Sequence, residues 1–75
     1  MATDRYSDEL IKLGKHLRQL RKEKKLTQLD LEVRSGIDHG DISRIENGQK
    51  NIEFHSIVKL AEALDAELYQ LFPKA

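Results

Sequence analysis

A chain of 75 residues without a cysteine has room for one small domain with a modest core, and it excludes disulfides, thiolate nucleophiles and cysteine-ligated metals. Thirteen basic side chains balance thirteen acidic ones, so this is no general polycation, and what matters is where the charges stand. No apolar run approaches the roughly 20 residues of a membrane span, and the opening MATDRYSDEL has neither the basic flank nor the apolar stretch of a signal peptide. The expectation is a soluble, cytoplasmic chain forming a single domain over residues 1–75, with its core between about residues 8 and 72.

Residues 7–24 place Leu10, Leu13, Leu17 and Leu20 at spacings of three and four, with Ile11 widening the stripe, which is the pattern of an amphipathic helix. The same stretch concentrates charge, because Lys12, Lys15, Arg18, Arg21, Lys22, Lys24 and Lys25 are opposed only by Glu23. Such a run serves as a solvated helix face with cations near its C-terminus, and is equally suited to lie near a phosphate backbone. Thr27 and Asp30 have the spacing of a capping box, so a second helix is expected from about Gln28, with Leu26 packing back as a hydrophobic staple. Leu29, Leu31 and Val33 alternate as a strand would, but the caps favour a helix. Leu31 then faces the core, while Leu29 and Val33 form an i, i+4 pair on another side, covered by a partner or by N-terminal residues.

Gly36 supplies a stop that tolerates positive φ, and Asp38 caps a third helix running to about Glu46. Two short helices joined by a turn of three or four residues have helix-turn-helix geometry, the unit that lays its second helix in the DNA major groove. In that helix Ile42 and Ile45 turn to the core, leaving His39, Gly40, Asp41, Ser43 and Arg44 to face outward. Asn47-Gly48 stops it, GQKNIEF reads as a loop, and Phe54, Ile57, Val58, Leu60, Ala61 and Leu64 make a fourth helical stripe. A fifth helix with Leu68, Leu71 and Phe72 ends at Pro73. The predicted fold class is all-α, a compact bundle of five helices with no strand and no internal repeat.

LGKHLRQLRKEKKLTQ, Leu31, the Gly36-Ile37 turn, ISRIENG, Asn51-Ile52 and LAEALDAELYQLF, taken in this order and spacing over residues 13–72, resemble the Cro/C1-type helix-turn-helix proteins, the xenobiotic-response-element family of bacterial and phage regulators. The resemblance implies a lambda-repressor-like domain that binds double-stranded DNA, usually as a dimer on a two-fold symmetric operator. It implies base contacts by His39, Gly40 and Arg44, with Arg44 donating bidentately to guanine, and it aligns Gln28, Ser43 and Asn47 with backbone contacts; Lys50 is a further candidate of that kind. Arg21 and Glu46 match a structural ion pair buried between the first helix and the end of the third. Each domain would contact one half-site. The dimer seam is expected at the last helix, with Tyr69 and Leu68 as candidates, core packing being favoured for Leu68 and Phe72 and the interface for Tyr69, whose hydroxyl can stay wet.

Three features depart from the family pattern. Glu32 falls where relatives carry Ala, so its carboxylate needs a partner, either Arg34 or a rotation of the second helix. Asp38 and Asp41 put two acids where phosphates approach; they serve as caps, or Asp41 accepts from cytosine N4 as a fourth base contact. Gly40 costs about 0.8–1.0 kcal/mol of helix stability relative to Ala, to be recovered by close approach to DNA if at all.

His16, His39 and His55 lie on three different predicted helices with no second His at i+4, so no metal site and no cofactor are expected. No phosphate loop, nucleophile elbow or triad is present, and an enzyme is not expected. The rival reading is an antitoxin or accessory module that holds a protein partner such as a toxin; the acidic third helix and the Leu29/Val33 pair favour it, whereas Gln28, Arg44 and the basic first helix favour DNA. A chain ending at Ala75 leaves no appended toxin-binding tail and no ligand domain in this expectation, so concentration-driven autoregulation is the simplest mechanism.

Overall fold

The computed structural model describes residues 4–72. Among the described residues four α-helices follow one another, α1 Arg5–Glu23, α2 Gln28–Ser35, α3 His39–Glu46 and α4 Phe54–Ala63, and a 3-10 turn, Leu68–Leu71, comes after them. There is no strand among the described residues, and no helix among them is long and apolar enough to cross a membrane.

The helix boundaries follow from local chemistry. Asp4 caps α1 by accepting from the Tyr6 amide. Thr27 accepts from the Asp30 amide while Asp30 accepts from the Thr27 amide, so α2 opens with a complete capping box. Gly36 ends α2 at φ +79, its amide bonded to the Glu32 carbonyl. α1 and α4 end in Schellman turns, in which Leu26 N–H reaches the Arg21 carbonyl and Ala66 N–H the Ala61 carbonyl, with Lys25 and Asp65 in the left-handed region that glycine usually fills.

The expected fifth helix is a 3-10 turn instead. Asp65 terminates α4 in a left-handed conformation, and Phe72 is already extended at φ −102, ψ 136, as a residue before proline is held. Only a few residues remain between these two constraints, too few to nucleate an α-helix; Pro73 itself lies outside the described residues.

The core joins Leu13, Leu17 and Leu20 of α1, Leu31 of α2, Ile42 and Ile45 of α3, Ile57, Leu60 and Ala61 of α4, and Leu64 and Leu71, with Leu26, Ile37, Ile52 and Leu68 packed against its rim. Phe54, in the expected fourth stripe, is 63% exposed, and Ile11 lies at the exposed edge of α1. α3 lies between α1 and α2, and α2 also packs on α4. The contact of α1 with α3 is close because residue 14 has no side chain. A Cβ there would collide with the Ile45 carbonyl oxygen and stand 2.7 Å from that of Glu46.

Candidate nucleic-acid interface

Ile42 and Ile45 are buried, which turns the opposite edge of α3 to solvent. Along that edge His39 and Arg44 are exposed and Gly40, Asp41 and Ser43 half-buried, with exposed Asn47 and Lys50 beyond its end. The fold thus places the predicted base-contact residues on one edge, and Gln28, half-buried at the first turn of α2, beside the far end of α3 through its bond to Glu46.

The base of this edge is an ion pair. Arg21 Nε donates to Glu46 Oε2 at 2.6 Å and Arg21 Nη2 to Glu46 Oε1 at 3.0 Å, both residues being buried. Arg21 Nη1 donates to the Leu26 carbonyl at 2.8 Å, and Gln28 Nε2 donates to Glu46 Oε1 at 3.1 Å. One fork therefore ties together α1, the turn before α2, α2 itself and the C-terminus of α3. The Glu46 hydrogen bond raises the Arg21 pKa above its ordinary value, against a smaller opposing effect of burial. Sequence reasoning did not connect Gln28 to this pair. Its Nε2 carries two hydrogens, so one can hold Glu46 while the other remains for a phosphate.

At the other end of α3, Glu32 has a partner that sequence reasoning did not find. Its Oε1 accepts from the His39 amide at 2.8 Å and from His39 Nδ1 at 2.7 Å. Neither suggested explanation holds: Arg34 donates to the Ala63 carbonyl at 3.3 Å instead, and α2 is not rotated, since Leu31 is fully buried while Leu29 and Val33 are 59% and 85% exposed. Nothing among the described residues covers that pair. Asp38 acts as a cap, with Oδ2 accepting from the Gly40 amide at 2.9 Å. A Cβ at residue 40 would stand 2.8 Å from that oxygen, the far end of a side chain that can turn aside.

Glu32, Asp38 and His39 thus bring three potential metal-ligand atoms within 4.8 Å of one another, a grouping that the linear spacing of the histidines did not suggest. Glu32 is already bonded to the His39 ring and amide and Asp38 to the Gly40 amide, and the positive end of the α3 dipole opposes a cation there.

The His39–Glu32 pair carries a pH dependence. The hydrogen bond to Glu32 raises the His39 pKa, helped by the negative charges of Asp38 and Glu32, and the two bonds from His39 lower that of Glu32. A raised histidine contributes fully below its ordinary value and loses its contribution as pH rises through the raised one; a lowered carboxylate contributes fully above its ordinary value and loses it as pH falls through the lowered one. The α2–α3 junction is therefore tightest between about pH 4.3 and pH 6.5. Glu32→Gln keeps an acceptor for the His39 amide but removes the charge, so thermal melts at pH 5.5 and pH 8.5, taken on both proteins, should show a destabilisation that shrinks at the higher pH. A difference independent of pH would contradict the pairing.

Of the seven cations between Lys12 and Lys25, only Arg21 is buried. Lys15, Arg18 and Lys22 are exposed at helical spacing on one face of α1, and Lys12 lies 3.9 Å from Glu9. On the candidate dimer seam, Tyr69 is 73% exposed, whereas Leu68 packs against the core. Phe72, for which core packing is expected, is 42% exposed, with its backbone extended at φ −102, ψ 136.

The helix-turn-helix family model matches residues 17–71. The chain belongs to the Cro/C1-type helix-turn-helix family. It is 46% identical over 63 residues to the HTH-type transcriptional repressor RghR of Bacillus subtilis, covering 83% of this chain and 47% of that protein, so it spans about half of that relative's length. It is 34% identical over 67 residues to the control protein C.MunI of Mycoplasma sp., covering 88% and 90% of the two chains. Its structure is similar to that of the restriction-modification controller protein C.AhdI from Aeromonas hydrophila, with a TM-score of 0.84, 43% identity and coverage of 87% and 98%.

Proposed function

We propose that this helix-turn-helix protein is a sequence-specific double-stranded DNA-binding transcriptional regulator that reads an operator half-site by laying α3 in the major groove. The observation that carries this reading is the outer edge of α3, where the exposed Arg44 stands on a helix anchored from behind by Ile42, Ile45 and the Arg21–Glu46 pair. Arg44 is the principal base reader, with His39 and Gly40 along the same edge and Asp41 bonded to its Nη1. Gln28, Ser43, Asn47 and Lys50 contact the backbone. The relatives named as a repressor, a control protein and a restriction-modification controller support the same reading.

A single α3 spans one half-site, so we assign the working form to a homodimer whose seam includes Tyr69, with reading helices about 34 Å apart. Selection of bound duplexes from a random pool tests both statements: it should return a two-fold repeated half-site spaced by about one helical turn, and a pool that shows no enrichment would overturn the reading. Arg44→Gln should cost about 1–3 kcal/mol of discrimination at one guanine position and leave the melting temperature nearly unchanged, measured by titrating duplexes substituted at each position. A protein partner is the second reading, favoured by the exposed Leu29 and Val33.

A further inference from the structure

Arg44 does not stand free on the reading edge. Its Nη1 donates to Asp41 Oδ1 at 2.6 Å, and Lys50 Nζ approaches the same oxygen at 3.8 Å from the loop beyond the helix. The guanidinium lies back along α3 over Gly40, where an added Cβ would meet Nη1 and Nη2 at 3.9 and 4.0 Å. Among the described residues, Nη2 and Nε of Arg44 make no hydrogen bond. Asp41 thus occupies one donor of the fork and leaves an edge of it uncovered on the exposed side of the helix.

We propose that Asp41 is a specificity-determining positioning residue, which holds the Arg44 guanidinium over Gly40 so that its free donors meet a guanine edge, and which opposes its escape to phosphates on non-cognate DNA. The inference rests on the DNA-reading function proposed above. An arginine presents five donors in a rigid fork, so a carboxylate on one of them can remain in place while others span O6 and N7 of guanine. Non-specific binding is different in kind. It gains by letting cations reach phosphates wherever they are, and for Arg44 that means leaving Asp41 and breaking a charge-assisted bond. The carboxylate is also itself repelled by the backbone. The same arrangement restrains Lys50 in the loop, so two cations near the groove are withheld from indiscriminate contact by one acid. On this account Asp41 acts through Arg44 and does not itself accept from a base.

The test compares the duplex selected from a random pool by the wild-type protein with a scrambled duplex of equal length, by fluorescence anisotropy over a range of salt concentrations. Asp41→Asn should tighten binding to the scrambled duplex roughly tenfold at low salt and steepen its salt dependence by about one phosphate contact. Most of this gain should be missing on the selected duplex, so that the ratio of affinities falls by about the same factor. Asp41→Glu, which keeps the charge, should recover part of the ratio. In an Arg44→Gln background, Asp41→Asn should tighten scrambled binding much less, by only what the lost repulsion and the released Lys50 contribute, the coupling expected of a pair that acts as a unit. Equal tightening on both duplexes, in both backgrounds, would overturn the proposal, because that is the effect of bulk charge alone. So would a loss of preference at a single base pair with scrambled binding unchanged, the behaviour of a carboxylate that accepts from cytosine. A wild-type protein with no preference between the duplexes would overturn the DNA-reading function, and this inference with it.

Discussion

Gly14→Ala should leave little folded protein at ordinary temperature. The added methyl would collide with the Ile45 carbonyl oxygen and stand 2.7 Å and 2.9 Å from the carbonyl oxygen and carbon of Glu46. These are backbone atoms at the end of α3, so no rotamer change relieves the overlap; α1 and α3 must move apart. Separating them loosens the contact among Leu13, Leu17 and Ile45 and displaces the Arg21–Glu46 pair that sits at the same junction. Overpacking of this kind costs about 3 kcal/mol or more, comparable with the whole stability margin of so small a domain. Alanine is otherwise the better helix former by about 1 kcal/mol, so the sign of the effect separates packing from propensity. Gly36→Ala is the natural control. There the new methyl meets nothing within 4 Å, but the residue is held at φ +79, and the cost should be limited to about 1 kcal/mol of backbone strain. Chemical denaturation of the two variants side by side should therefore show a large loss for residue 14 and a small one for residue 36; similar losses would mean that the α1–α3 contact is not the constraint described.

Arg21→Ala should destabilise the fold by about 3–5 kcal/mol, the cost of leaving a buried charge without its partner. Glu46 would keep only the 3.1 Å bond from Gln28, and the Leu26 carbonyl would lose its donor. The effect should persist in high salt, since a buried pair is poorly screened. Arg44→Gln offers the contrast: exposed and bonded to an exposed-side partner, it should change binding without unfolding the protein. Thermal melts of the two variants, run at low and high salt, should separate them. An Arg21→Ala protein that melts with the wild type would show that the fork does not hold α3 in place.

Much of the chain was legible before folding. The Leu13, Leu17 and Leu20 stripe, the Thr27–Asp30 capping box, the left-handed stop at Gly36 and the cap at Asp38 all appear in the structure where the residues place them. Each is a relation between residues at most four positions apart, and at that range sequence spacing is nearly the same thing as spatial distance. The strand-like alternation of Leu29, Leu31 and Val33 was resolved correctly by the caps, since only Leu31 is buried. The expected final helix is absent because Asp65 ends α4 in the left-handed region and Phe72 is already extended, a limit on length that apolar spacing does not reveal.

The sequence by itself determined where α2 and α3 begin and end, which leucines and isoleucines of α1 and α3 carry the core and which edge of α3 is polar, because periodicity and capping are properties of neighbouring residues. Only the tertiary structure decided which distant groups meet. Gly14 against the α3 carbonyls, Gln28 on Glu46 and Arg34 on Ala63 depend on how helices cross, and so does Glu32 on His39, which bridges α2 to the start of α3. Shifts of an ångström in helix placement make or break such contacts. The state of the reading edge belongs to that second class in part: Asp41 and Arg44 are three residues apart on one helix, but Lys50 joins them only because the following loop returns beside α3.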